Sequence, residues 1–407
     1  MLCPHFAPDT APTGEVMSRI VLELADRGHE LHVVTALPWY VHHRVDAAWA
    51  GKAIRIEKTE WGSITRVNPF PTDKTSIPQR AAGFLAFSAL AGLAGLRGGR
   101  VDGVLAMSPP LTLGLTGWGM HLVRRGPLVF NIQDVFPDVA VELGAIRNPR
   151  VITLARWVER LSYHRADAVT VLSDDLRQNV VAKVAAAHRA KIRVIPNFVD
   201  TVAIQPSDRL TPYRRELGIG DETVVLYAGN VGLSQSLDLV VSAAHEWRDD
   251  PSVVFVVNGG GSGLEPLRHA TAGMMNVRFA PYQPRERLAE VLATGDIHLV
   301  PLKKGLARSS VPSKTYSVLA AGRPILASVD SDTEVDRLVK HADAGISVPP
   351  DDKVAFIAGL RRLLVDPAGR AEMGRRGRAF VEQWASPAAV AAAYEQLFEE
   401  LATRSGS

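Results

Sequence analysis

The sequence predicts an α/β protein built from two Rossmann-like, doubly wound parallel-sheet domains. Three observations carry that prediction. The chain has 407 residues, too many for one small core and suited to two domains of about 200 residues each. Continuous Val/Ile/Leu runs alternate with stretches of helical periodicity, as the buried strands of a parallel sheet do. The pattern halts and restarts across 200–222, where Pro206, Pro212, Gly218 and Gly220 mark a hinge. The expected domains are 1–203 and 204–386, with a last helix in 387–407 crossing back to the first domain.

Taken in order, residues 14–27 put Val16, Ile20, Val21 and Leu24 on one helical face, closed by Gly28. LHVVTA (31–36) then reads as a buried strand, and His29 just before it is expected to pack at the strand start. GVLAM (103–107), LVFNI (128–132), AVTVL (168–172) and IRVIP (192–196) continue the first sheet. TVVLYA (223–228), VVFVV (253–257), VRFA (277–280), IHLVP (297–301) and PILAS (324–328) make the second. An amphipathic helix at about 387–402 closes the chain. The opening MLCPHFAP leaves only Met1 and Leu2 for an innermost first strand. A start codon upstream is therefore expected, and a native N-terminal peptide beginning at Met1 would refute it.

Hydrophobic residues make up 46% and charged residues 22%, which excludes disorder as the dominant state. Cys3 is the only cysteine, so there is no disulfide framework, no zinc spacing, and a cytoplasmic location is expected. Residues 1–200 carry 23 Lys and Arg against 18 Asp and Glu, while the remainder carries 23 against 25. A mildly basic front half suits an anionic partner or membrane surface; no arginine-rich run supports nucleic acid. The uncharged run 81–96 is short for a bilayer span. It reads either as a buried core helix or as an apolar face on the inner membrane, anchored by Arg80, Arg97 and Arg100. Pro109-Pro110 and four glycines break up 103–123.

Ligands of doubly wound sheets bind beyond the carboxyl ends of strands. Gly229-Asn230-Val231-Gly232 follows a strand and precedes a helix, so it is either a phosphate-binding loop or a plain tight turn. In RSSVPSKTYSVLAAGRP (308–324), Ser313 suits an N-cap and Lys314 the first turn of a helix over 313–321 that Gly322 ends. A lysine there opposes the helix dipole unless an anion is bound, which points to a diphosphate. This is no Walker A loop, because Ser313 and Arg308 occupy its glycine positions. In NIQDVFPD (131–138), Asp134 suits a base or hydroxyl acceptor, or an Asx-type turn before Pro137. Thr13-Gly14 opens another helix, Glu334 could accept ribose hydroxyls or cap a helix, and Tyr282 could lie near a base. Neither a nucleophile elbow nor an H-E-x-x-H pair occurs.

These residues resemble glycosyltransferase family 4, of GT-B fold, over nearly the whole chain. The likeness lies in FAPDTAPTG (6–14), LADRGHELHVVTA (24–36), ADAVTVLSDDLR (166–177), IRVIPNFVD (192–200), VVLYAGNVGLSQSLDLVV (224–241) and VPSKTYSVLAAGRPILAS (311–328). QD-x-x-PD, GNVG and PSK are similar to bacterial O-antigen and capsule L-fucosamine transferases. The resemblance implies a metal-independent, retaining transferase without a cofactor, with two domains facing across a cleft. The first would take a lipid-linked acceptor and the second a UDP- or GDP-linked sugar. It makes Gly14 a backbone contact near the sugar or diphosphate and Lys314 a diphosphate ligand. The family's arginine and lysine correspond to Asn230 and Gln235, its paired glutamates to Ser309 and Ser317, and its catalytic histidine to Gln133. The donor set expected here is therefore Thr13, Gly14, Gly229, Asn230, Gly232, Gln235, Tyr282, Arg308, Ser313, Lys314, Thr315, Ser317 and Glu334, with Asp134 on the acceptor hydroxyl. Two rivals are a catalytically silent sugar-nucleotide-binding scaffold and a sugar-nucleotide 2-epimerase.

Overall fold

The computed structural model describes residues 1–9, 11–39, 45, 49, 51, 53–68, 77–96, 100–142, 146–232, 235–305 and 314–405. The chain divides into two compact units, 1–197 with 387–407, and 198–386.

In the first unit the strands are β1 (Leu31–Ala36), β2 (Ile54–Thr59), β3 (Gly62–Val67), β4 (Val104–Ser108), β5 (Leu128–Ile132), β6 (Ala168–Val171) and β7 (Ile192–Val194). They order as β2-β3-β1 and β4-β5-β6-β7. One residue joins the two sets: Leu2 bridges Val34 of β1 on one side and Ala106 of β4 on the other, both in parallel. Leu2 N donates to Leu105 O at 2.7 Å, and Met107 N donates to Leu2 O at 3.0 Å. The place of an innermost strand is thus held by a single fully buried leucine.

The expected all-parallel sheet needs one correction. β2 runs antiparallel to β3, with Ile54 opposite Val67 and Thr59 opposite Gly62. Its IRIEKT sequence alternates rather than forming an apolar run, as suits an edge strand with one solvated face and charges that discourage further pairing.

Helix Ile77–Gly95 carries most of the run 81–96. Phe87, Ala91 and Ala94 are buried in the core, while Leu85 and Leu93 are 58% and 66% exposed. Among the described residues no helix is long and apolar enough to cross a membrane. Helix Pro387–Ser405 packs on helix Pro12–Asp26. Its buried Tyr394 hydroxyl accepts from Asn131 Nδ2 at 2.8 Å. His29 does not pack at a strand start as expected; it lies exposed, its Nε2 2.8 Å from Glu395 Oε1, beside Arg27 on the same carboxylate.

In the second unit β8 (Thr223–Asn230), β9 (Val253–Gly260), β10 (Val277–Ala280), β11 (Ile297–Pro301), β12 (Ile325–Ser328) and β13 (Gly345–Val348) form one parallel sheet. The order is β10-β9-β8-β11-β12-β13, the Rossmann order with its switch point between β8 and β11. β8 pairs with β9 from Thr223–Val253 to Asn230–Gly260, but with β11 only at Val225–Ile297 and Leu226–His298. The carboxyl ends of β8 and β11 therefore carry no mutual ladder, which leaves space between them for side chains.

Residues 200–222, expected as a hinge, are bound into this unit. The buried Arg214 donates to Gly220 O at 2.7 Å and pairs with Asp296 at 3.2 Å, and helix Pro212–Glu216 forms within the segment.

Candidate functional site

The second unit's switch point gathers several residues singled out above. Gly229, at φ 137°, is the next-to-last residue of β8, and Lys314 is the first described residue of helix Lys314–Ala320 after β11. A Cβ on Gly229 would lie 3.7 Å from Lys314 Cδ, so the lysine stem runs alongside the glycine loop. Lys314 Nζ stands 4.2 Å from the centroid of the Tyr227 ring, a cation–π contact. No carboxylate among the described residues pairs with it. Burial pulls its pKa down to about 8. The Tyr227 hydroxyl donates to Asn230 O at 2.5 Å, fixing both the ring and the loop. Tyr227 was missed in the sequence because it reads simply as part of an apolar strand.

The described part of the helix, Lys314–Ala320, ends one residue before the expected 321. Arg308 and Ser313, with Ser309, lie outside the described residues. Gln235 Oε1 accepts from Gly232 N at 2.9 Å and closes the 229–232 turn, so the amide at the family's lysine position is already engaged. Asn230 is exposed at the loop tip. Tyr282, 58% exposed, donates to Gly260 O at 3.3 Å and flanks the end of β9.

Thr315, one residue after Lys314, is fully buried, and its Oγ1 has no hydrogen-bond partner among the described residues. Ser317 is half-buried on the same helix. Glu334 begins helix Glu334–His341, accepts from the Tyr316 hydroxyl at 3.4 Å and pairs with Arg337 at 3.2 Å. Two carboxylates not singled out in the sequence hold the loop after β11: Asp330 accepts from Gly305 N at 2.7 Å and Asp351 from Lys304 N at 3.1 Å.

In the first unit, Gln133 is buried and engaged at both ends. Its Nε2 donates to Asn131 Oδ1 at 2.7 Å, and its Oε1 accepts from Asn197 Nδ2 at 2.9 Å. It contributes no titratable group where the family has a histidine. Asp134, next to it, is exposed, and partial desolvation raises its carboxyl pKa. Thr13 and Gly14 lie in the first turn of helix Pro12–Asp26. A Cβ on Gly14 would fall 2.9 Å from His5 Cβ, so the glycine permits the 5–6 backbone to press against the helix. Among the described residues no cluster of three or more metal-ligating side chains occurs.

Two α/β units, the second in Rossmann order with a lysine at its switch point, define a protein of GT-B architecture. Comparison makes this a glycosyltransferase: residues 13–197 match a glycosyl transferase 4-like domain and 222–366 match glycosyl transferases group 1. Among relatives, the Escherichia coli glycosyl transferase WcaI, named for colanic acid biosynthesis, is 28% identical over 378 residues, 89% of this chain and 91% of that protein. Among solved structures, sucrose-phosphate synthase from Thermosynechococcus elongatus aligns with a TM-score of 0.68, 19% identity and 98% of each chain covered. Anabaena HepE, solved with UDP, aligns at 0.65 with 13% identity, covering 98% of this chain and 99% of its own. At those identities the structures speak for the fold.

Proposed function

We propose that the protein moves a sugar, with retention at the anomeric carbon, from a UDP- or GDP-sugar to a lipid-linked acceptor in cell-envelope polysaccharide or glycolipid synthesis. The observation that carries this is Lys314, a largely desolvated ammonium with no carboxylate partner among the described residues, beside the Gly229 loop at a Rossmann switch point. A buried cation without a counter-ion is costly, and a bound diphosphate would offset that cost. Lys314 would stabilise the diphosphate as it departs without needing a metal ion, while Gly229 and Gly232 let the backbone approach it. Tyr282 would border the base, and Glu334 the ribose. Asp134 would orient or deprotonate the acceptor hydroxyl. WcaI, named for an exopolysaccharide, and HepE, solved with UDP, favour polysaccharide synthesis and a nucleotide-sugar donor. Membership of the L-fucosamine transferase subgroup is part of the same proposal.

The test is release of nucleoside diphosphate from a panel of UDP- and GDP-sugars with a bacterial membrane-lipid extract as acceptor. Turnover is expected with one donor, and absence of release with all of them sinks the transferase reading. Binding without turnover would instead favour the silent scaffold.

The surface of the first unit suits work at the inner, cytoplasmic face of a membrane. Helix Pro149–Arg165 exposes Val151, Leu154 and Trp157 among Arg150, Arg156 and Arg160. That combination favours an anionic interface. The protein is expected to cosediment with phosphatidylglycerol vesicles and far less with phosphatidylcholine. Trp157→Glu should abolish that binding; equal recovery with both vesicle types would refute it.

A further inference from the structure

One carboxylate touches both walls of the second unit's switch point. β8 and β11 carry no mutual ladder at their carboxyl ends, but just beyond them the two walls are joined again. Gln235 makes an isolated antiparallel bridge to Leu302, and Ser236 N donates to Pro301 O at 3.2 Å. Residues 235–236 lead from the 229–232 turn, which the Gln235 amide closes, to helix Asp238–Glu246. Residues 302–305 continue the chain that leaves β11.

Asp351 follows β13, two strands away from β11 in the sheet. Its Oδ1 accepts from the Ser236 hydroxyl, and its Oδ2 accepts from Lys304 N at 3.1 Å. One oxygen thus holds the loop after β8 and the other the loop after β11, both through charge-assisted bonds. Asp330, after β12, takes the next amide, Gly305 N, at 2.7 Å and adds to the hold on the second loop. Ser236 is buried, whereas Asp351 is exposed and stands at φ 60°. That left-handed backbone is costly for most side chains and least so for glycine, asparagine and aspartate. Such a conformation persists where its surroundings impose it. Here it accompanies a carboxylate whose two oxygens serve separate loops.

We infer that Asp351 is a positioning residue for the donor nucleotide, setting the spacing between the Gly229 loop and the chain that leaves β11. The inference rests on the nucleotide-sugar reading above and concerns the second unit alone. Asp351 touches no substrate in this scheme. It acts through Ser236 on the 229–232 turn and through Lys304 on the opposite wall. A diphosphate beside Lys314 needs the glycine loop at a fixed distance from the ammonium, because the attraction between the two charges falls as they separate. Without the carboxylate, each loop keeps its own fold but loses its tie to the other through the end of β13.

The test is titration of the full chain with UDP and with GDP, then steady-state turnover with the donor panel and lipid extract named above. Asp351→Gly accepts φ 60° and removes only the carboxylate. Nucleotide affinity is expected to fall about tenfold, since displacements of about 1 Å in such a site cost up to about 100-fold. The donor KM should rise about tenfold with the acceptor KM within about twofold, a split that general loosening would not give. Asp351→Asn also suits φ 60°, and its oxygen can accept from Lys304 N while its amide donates to Ser236 Oγ. It should bring affinity back to within about threefold of the wild type. Ser236→Ala alone should weaken binding about threefold and add nothing to Asp351→Gly. Affinity of Asp351→Gly within about twofold of the wild type overturns the inference, as does Asp351→Asn binding no better than Asp351→Gly. Should Asp351→Gly not fold, Ser236→Ala decides: a loss sustains the inference and unchanged affinity overturns it. A wild type that binds neither UDP nor GDP overturns the nucleotide-sugar reading itself.

Discussion

Lys314→Met is expected to make the ligand-free protein more stable and the enzyme useless. An ammonium held at a pKa of about 8 instead of 10.5 costs the folded state about 3 kcal/mol at neutral pH. The sign follows from the two protonation equilibria. Below pH 8 the lysine is charged both folded and unfolded, and the full cost is present. Between pH 8 and 10.5 the folded form sheds its proton first and the cost fades; above 10.5 it is gone. Methionine has a similar length and no charge, so it fills the space over Tyr227 without that cost. Thermal unfolding at pH 7 should therefore show the variant roughly 5–10 °C higher, for about 3 kcal/mol in a unit of this size. The advantage should disappear by about pH 10.5. Nucleotide affinity should fall at least about 100-fold in the same variant, the scale on which a charged contact to a developing anion counts. A variant less stable than wild type at pH 7 would mean that the lysine is not the strained group described here.

Gly259→Ala is expected to damage both fold and site. Gly259 sits opposite Gly229 in the β8–β9 ladder at φ 151°, and an added Cβ would lie 1.9 Å from the Gly229 carbonyl oxygen. Neither atom belongs to a flexible side chain, so relief requires the two strands to part where β8 ends. The expected loss is about 3 kcal/mol or more in urea unfolding, from overpacking and a strained backbone together. Gly229 would move with its carbonyl, and nucleotide affinity should fall alongside stability. Gly273→Ala is the control: that glycine is also at positive φ, 80°, but a Cβ there meets nothing within 4 Å. It should cost about 1–2 kcal/mol, from the left-handed backbone alone, and spare binding. Equal losses in the two variants would refute the close-approach account.

Much of this architecture could be read from residue patterns, for a definite physical reason. A strand buried on both faces must be apolar at successive positions, so LHVVTA, VVFVV and IHLVP announce themselves. β2 and β3 escaped because IRIEKT and GSITRV mix charge into an edge hairpin, and GISV of β13 is short and only partly buried. At the proposed donor site, Gly229 and Lys314 stood out because a glycine and a lysine at a helix start each break a local preference. Tyr227 did not, since nothing in the sequence says which way a strand tyrosine turns. The contact of Leu2 with both Val34 and Ala106 was hidden more deeply, since no periodicity reveals a strand one residue long.

The second unit runs without interruption from Phe198 to Ser386, whereas the first is assembled from both sides of it. In chain terms one unit is a guest within the other. A fragment spanning 198–386 has all the strands of its unit, whereas cutting the chain at 386 would strip the host of Tyr394, leaving the buried Asn131 with only the Thr170 hydroxyl of its two hydroxyl partners. A truncation at the far end of the sequence would therefore be felt first beside Gln133 and Asp134, far earlier in the chain, and not in the neighbouring guest.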